Sequence, residues 1–229
     1  MIRAVVFDIE GTIGDIAFVR SVLFPFARER LGSYFAAHWN DEPLQAILND
    51  AREASGLSLA TPTEAVTLFE AWIDEDRKIT PLKTLQGLIW RSGYEAGSLK
   101  AHLYDDAVAA IRRFHTQGLR LFIYSSGSVA AQQLYMAYSV AGDLRPLISG
   151  YFDTTTGPKA EPASYASIAR QAGESPGDMV FFSDATAEVT AALAAGMKAM
   201  LLCRSPSVPA PAERARFDAI EGFTSLESL

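Results

Sequence analysis

The sequence predicts an α/β protein built on a doubly wound parallel sheet, with a block of helices inserted after its first strand. Three observations carry that expectation. Short apolar runs at residues 4–7, 119–124, 179–182 and 197–203 recur down the chain, and the later ones alternate with amphipathic helical patterns. That alternation implies right-handed crossovers and a sheet covered on both faces. Residues 15–103 show helical spacing and no convincing strand. Finally, three of the runs close on polar residues: Asp8 and Glu10, Ser125 and Ser126, and Asp184. A buried strand cannot hold unpaired carboxylates inside it. The acids therefore belong at strand carboxyl ends, where an open α/β sheet places its ligands.

Taken in order, the first strand runs straight into Asp8-Ile9-Glu10-Gly11-Thr12. Ile16, Val19, Leu23, Phe26, Ala27 and Leu31 then recur at three- and four-residue spacing, as an amphipathic helix requires, with Pro25 a place for a break or kink. Asn40 or Asp41 with Pro43 starts a helix that ends near Gly56. Thr61-Pro62-Thr63-Glu64 reads as a capping box with proline at the first helical position. Val66, Phe69 and Ile73 supply its apolar face. Thr80-Pro81 opens a further helix carrying Leu85, Ile89 and Trp90, expected to stop near Gly93.

From Asp105 the pattern changes. A helix over 105–117 stops at Gly118, another spans 129–138, and residues 151–153 are weakly extended. The loop Gly157-Pro158-Lys159 leads into a helix over 162–172, and a last strong helix covers 188–195. The tail from Ser205 is proline-rich and then gains Phe217, Ile220 and Phe223, which suggests an edge element folded back on the core. The expected domains are 1–14 with 104–229 as the α/β core, and 15–103 as a helical cap.

Composition narrows the function classes. The 229 residues, 49% hydrophobic and 21% charged, suit a globular enzyme that folds without disulfides. The lone Cys203 permits no internal pair and sits in an apolar run, which fits a reducing cytoplasm. No N-terminal leader is expected, because Asp8 and Glu10 interrupt the first apolar run, and no run reaches membrane-spanning length. The formal charge of −7 argues against nucleic acid. It leaves room for a small phosphorylated ligand, since one lysine and a divalent cation in a cleft outweigh distant screened charge.

All strand carboxyl ends of a parallel sheet share one edge, so Asp8, Glu10, Ser125, Ser126 and Asp184 should gather there, with Lys159 in reach. Such a set suits magnesium, which takes oxygen ligands and few protein carboxylates, alongside phosphate oxygens. It also suits phosphoryl transfer, in which cations neutralise charge spread over the equatorial oxygens.

On these residues the chain resembles the haloacid-dehalogenase superfamily of aspartyl-phosphate phosphatases. Within it, the Asp-Ile-Glu-Gly-Thr form of the first motif resembles the enolase-phosphatase (acireductone synthase) family of methionine salvage. Further matching stretches are Phe18-Val19 with Leu23-Phe24-Pro25, Leu85 to Trp90, Tyr124 to Ser128 with Ala131-Gln132, and Gly157-Pro158-Lys159. The resemblance implies a Rossmann-like core and roles for particular residues: Asp8 as nucleophile, Glu10 as acid and base, Ser125 and Ser126 as phosphate ligands, and Lys159 as charge-neutralising group. It implies one Mg²⁺ held by Asp8, Asp184 and the main-chain carbonyl of Glu10. It also implies enolisation of a 2,3-diketo-5-methylthiopentyl 1-phosphate before hydrolysis. A cytoplasmic monomer acting on a small phosphorylated metabolite is the expectation. The family usually continues its first motif with a second Thr and a Pro, where this chain has Ile13-Gly14-Asp15; that loop leads into the cap, so the departure bears on substrate fit or hinge motion.

Plainer readings stand beside these. Asp184 precedes a helix and could cap it, and Glu188 could either support the metal-binding acids from behind or be a first-turn acid facing the helix dipole. Ser126 and Ser128 could cap the helix after them. Trp90 shares a face with Gln86 and fits a core position as well as a pocket. Another phosphatase of the superfamily, a metal-independent dehalogenase and a non-enzymatic phospho-acceptor all compete. The Glu10 side chain, dependence on a metal and the helical insertion respectively distinguish them.

Overall fold

β1 (Ala4–Phe7) is buried along its whole length and forms the middle of a parallel sheet, paired on one side with β2 (Arg120–Tyr124) and on the other with β4 (Met179–Ser183). The computed structural model describes residues 1–205, 208–226 and 229. By contact the chain divides into two compact units, residues 1–16 with 100–229, and residues 17–99.

In the first unit the strand order is β3-β2-β1-β4-β5-β6, with β3 at Gly150–Phe152, β5 at Lys198–Leu202 and β6 at Ala219–Ile220. All the pairings are parallel, and this is the doubly wound order. Side-chain alternation along β1 explains why both faces are covered. Ala4 and Val6 face one layer, packed with Phe122, Tyr124, Tyr165, Ile168 and Phe181. Phe7 faces the other, where its ring lies 5.7 Å from Phe182, 5.8 Å from Phe223 and 6.4 Å from Phe114. The weakly extended 151–153 segment proves to be the edge strand β3. The segment after Phe217 returns as β6 and a turn that buries Phe223. The proline-rich stretch before it lies partly outside the described residues.

The helices follow the sequence with small shifts at their ends. After α1 (Ile16–Phe18) the expected continuous helix is interrupted by a π-helical turn, Val19–Leu23, before α2 (Phe24–His38). The cause is Pro25. It has no N–H to offer Ser21, and the Phe24 N–H reaches back five residues to the Val19 carbonyl. Proline thus enters the first turn of α2, where a missing donor costs little. α3 (Glu42–Ser55) ends at a left-handed Gly56, and α4 (Pro62–Asp74) opens on the Thr61–Glu64 capping box with both of its hydrogen bonds made. α5 (Thr80–Glu95) runs two residues beyond Gly93. In this helical unit the Phe35 ring packs tilted against Phe69, and Phe69 edge-on against Trp72, at 5.6 and 5.1 Å between centroids. Trp90 is half-buried, and its indole N–H donates to the Leu23 carbonyl at 2.8 Å.

The remaining helices are α6 (Asp105–Thr116), α7 (Val129–Ala137), α8 (Pro162–Ala172), α9 (Thr186–Ala194) and α10 (Pro211–Arg214). Among the described residues no helix is long and apolar enough to cross a membrane.

Phe223 is fully buried against Phe7 and Phe182, so the folded-back tail belongs to the core layer under β1. Phe223→Ala is expected to cost about 3–5 kcal/mol of stability. Urea unfolding followed by far-ultraviolet circular dichroism checks this, and a loss under about 1 kcal/mol would contradict the packing described.

Candidate functional site

The three central strands end level with one another. Phe7 is in register with Ile123 on one side and Phe182 on the other, so Asp8, Ser125 and Asp184 all lie just beyond the sheet's carboxyl edge. The Asp8 N–H still donates to the Phe182 carbonyl at 3.0 Å, and the Ser125 N–H to that of Phe152 at 3.2 Å. Each of these side chains is therefore placed by the last bond of the sheet.

Asp8 is 3% exposed and engaged at both oxygens. Lys159 Nζ lies 2.5 Å from Oδ1, and the Thr12 hydroxyl donates to Oδ2 at 3.0 Å. Thr12 Oγ1 in turn accepts from the Asp184 N–H at 3.0 Å, so one buried hydroxyl links the ends of β1 and β4. The Thr12 carbonyl is held by Arg204 Nε at 2.8 Å, and Arg204 makes a two-pronged pair with Asp106 at 3.0 Å. Gly11 adopts φ +79°, and a Cβ there would collide with the Asp184 carboxylate. Glycine is thus required both by the turn and by the close approach of that acid.

Glu10 reaches Ser125, whose hydroxyl lies 3.1 and 3.0 Å from the two carboxylate oxygens. Ser125 Oγ also accepts from the Gly127 N–H at 3.1 Å. Ser126 is exposed on the same loop. Ser128 is the residue that caps α7, accepting from the Ala131 N–H at 3.3 Å. Asp184 does not cap α9: the N-cap position belongs to Ala185.

Lys159 has a second acid partner, Glu188 Oε2, at 2.6 Å. The Ser183 hydroxyl donates to the same Glu188 oxygen at 2.8 Å. Asp8 and Glu188 thus contact one ammonium, and Glu10 and Asp184 also feel its charge. Burial, and then the charge of Asp8, push Glu10 above the usual carboxylate range. The same two causes raise Glu188 despite its lysine partner. Asp184 is pushed up to about 7 by burial, with Asp8 and Glu188 adding to it. Burial works against the Lys159 ammonium, but the charges of Asp8 and Glu188 outweigh it and hold its pKa above the ordinary lysine value.

A divalent cation would relieve this excess of negative charge. Among the described residues no three His, Cys, Asp or Glu side chains form a metal cluster. A magnesium ion needs fewer, because it keeps several waters and takes one or two carboxylates. Asp8 and Asp184 with a main-chain carbonyl fit that pattern, and a site built wholly of side chains does not.

One residue of this site, Thr12, carries no mark of its role in the sequence. Glu188 fits by sequence either a residue supporting the acid cluster or a first-turn acid facing the helix dipole, and its ion pair with Lys159 favours the first. A cavity of about 470 Å³ lies beside the loop after β5, lined by Tyr104, Cys203, Arg204 and Arg214 among others. None of the sequence-predicted site residues lines it.

If Lys159 balances this cluster, removing it should be far costlier than neutralising an acid. Lys159→Met is expected to lose about 3–5 kcal/mol in metal-free protein, because it strands buried carboxylates. Asp8→Asn is expected to leave stability unchanged or to raise it. Chemical denaturation of both variants checks the pair, and the opposite ranking would contradict the description.

The family model for haloacid dehalogenase-like hydrolases matches residues 2–196. A Parvibaculum lavamentivorans protein named enolase-phosphatase E1 is 53% identical over 204 residues, covering 89% of this chain and 87% of that one. The Methylococcus capsulatus protein of the same name is 47% identical over 222 residues, covering 96% and 98%. Among solved structures, the Saccharomyces cerevisiae UTR4 protein superposes with a TM-score of 0.86 at 33% identity, covering 99% of this chain and 100% of that one.

Proposed function

The chain belongs to the enolase-phosphatase family of haloacid dehalogenase-like hydrolases, and from that premise we propose that it converts 2,3-diketo-5-methylthiopentyl 1-phosphate into the dihydroxy-keto acireductone and phosphate. The observation that carries the proposal is the meeting of Asp8, Thr12, Lys159 and Glu188 at the end of β1, with Glu10 of the loop after β1 hydrogen-bonded to Ser125 just beyond β2.

In this reading Asp8 attacks phosphorus and becomes the aspartyl-phosphate, which divides one difficult displacement into two. Thr12 fixes one carboxylate oxygen, so the attacking group is aimed before substrate enters. Lys159 offsets the charge that nucleophile and phosphate bring together. Ser125 and Ser126 donate to phosphoryl oxygens. Glu10, which burial inclines towards its protonated form, gives its proton to the leaving oxygen and then takes one from the hydrolytic water. The same carboxylate is our candidate for the base that removes the proton during enolisation. Asp8, Asp184 and the Glu10 carbonyl would hold one Mg²⁺, which when bound neutralises phosphoryl charge and acidifies the carbon–hydrogen bond beside the diketone.

The helical unit over 17–99 is assigned as the cap that excludes water and selects the substrate. We further assign the protein to the cytoplasm as a monomer that acts on a small metabolite and binds neither nucleic acid nor membrane. Glu10, where most of the superfamily has aspartate, favours this substrate over other phosphate esters.

Asp8→Asn is expected to abolish phosphate release from the diketo ester while the protein stays folded; undiminished turnover would remove Asp8 as nucleophile. Chelation with EDTA is expected to stop the reaction and Mg²⁺ to restore it. Phosphate release that survives exhaustive chelation would overturn the part assigned to Mg²⁺, and halide release from a haloacid without metal would favour the dehalogenase reading.

A further inference from the structure

Three buried hydroxyls that none of these roles uses act on one loop. Tyr124 Oη donates to the Gly157 carbonyl at 2.9 Å, Ser164 Oγ to that of Pro158 at 2.7 Å, and Tyr165 Oη to that of Lys159 at 2.7 Å. Successive carbonyls thus each receive one side-chain donor, from the end of β2 and from the first turn of α8. All three donors are buried, at 0%, 2% and 0% exposure. The loop lies directly on α8: Gly157 has φ +148°, and a Cβ there would run into the Ser164 hydroxyl.

The donors are themselves anchored to the sheet. The Tyr165 ring meets Phe181 of β4 edge-on at 5.0 Å and Tyr124 of β2 at 5.6 Å. Burial raises the Tyr165 and Tyr124 pKa values, so both remain protonated donors. Lysine is the side chain that most needs such help. Its four-carbon stem is flexible, yet its ammonium must sit 2.5 Å from Asp8 and 2.6 Å from Glu188. Where its backbone is held decides whether that reach is met.

We propose that Tyr165, supported by Ser164 and Tyr124, is a positioning residue for Lys159, holding its backbone so that the ammonium already faces Asp8 when substrate arrives. The proposal rests on the reading of Lys159 as part of the phosphatase site. The competing view is that the hydroxyls only satisfy buried carbonyls, as any buried loop demands.

Tyr165→Phe, which keeps the ring and removes only the donor, separates the two. Phosphate release from the diketo ester is expected to show kcat lowered about tenfold with KM changed less than about twofold, because a displaced catalytic group impairs the chemical step rather than uniform binding. In a Lys159→Ala background the same change should slow the residual reaction no further, since nothing is left to position. A wild-type kcat in Tyr165→Phe, or full multiplication of the two losses in the double variant, overturns the proposal in favour of a purely structural role. Should Tyr165→Phe not fold, Ser164→Ala carries the same expectation and the same refutation. Lys159→Ala with wild-type turnover would remove Lys159 from the phosphatase site proposed above and this role with it. A crippled Lys159→Ala beside an unaffected Tyr165→Phe would overturn the positioning role alone.

Discussion

The Lys159 ammonium, buried between Asp8 and Glu188, is the contact on which the rest of this site depends. A buried carboxylate without a partner is strongly disfavoured, and here several stand within mutual range. One positive charge cannot balance them: burial first, and then the charge of Asp8, raise the pKa values of Glu10, Asp184 and Glu188. The fold tolerates this because a fully packed two-faced sheet fixes the strand ends, leaving the acids no room to move apart. Stability is given up locally at a place where negative charge can grip a cation and attack a phosphorus centre.

Each part of the structure around that contact can be seen as holding it in place. The register of β1 with β2 and β4 sets Asp8, Ser125 and Asp184 along one edge. Thr12 links two of those ends through one hydroxyl, and Arg204 steadies Thr12 from behind through its pair with Asp106. The tail completes this bracing, since the Phe223 N–H donates to Asp106 at 2.8 Å. Residues remote in sequence are thereby committed to the geometry of a single carboxylate. In place of the usual Thr-Pro after the first motif, Gly14 lies against the Tyr135 hydroxyl and the His102 carbonyl, where a Cβ would not fit. The altered loop is accommodated by close packing rather than by looseness.

Much of this was legible in the sequence, and for identifiable reasons. Apolar runs separated by amphipathic segments specify a parallel sheet, and polar residues closing those runs can only lie at its carboxyl edge. That logic located Asp8, Glu10, Ser125 and Asp184. The Thr61 capping box and the helix over 162–172 were equally plain, because local chemistry alone decides them. The π-turn before Pro25 was not legible: proline announces a disturbance but not whether the chain kinks, breaks or shifts its hydrogen bonds by one residue. Thr12 and the hydroxyls on the Lys159 loop were hidden for another reason. Their importance lies in partners far away in sequence, and a serine or tyrosine in an amphipathic helix carries no mark of the carbonyl it will meet.

In the proposed reaction the carboxylate ending β1 takes the phosphoryl group. Rapid acid quench during turnover of the diketo phosphate, followed by peptide mass mapping, detects that transfer. A transient gain of one phosphoryl mass is expected on the peptide that contains Asp8. An unmodified Asp8 peptide during active turnover, with the adduct on another residue, would contradict it.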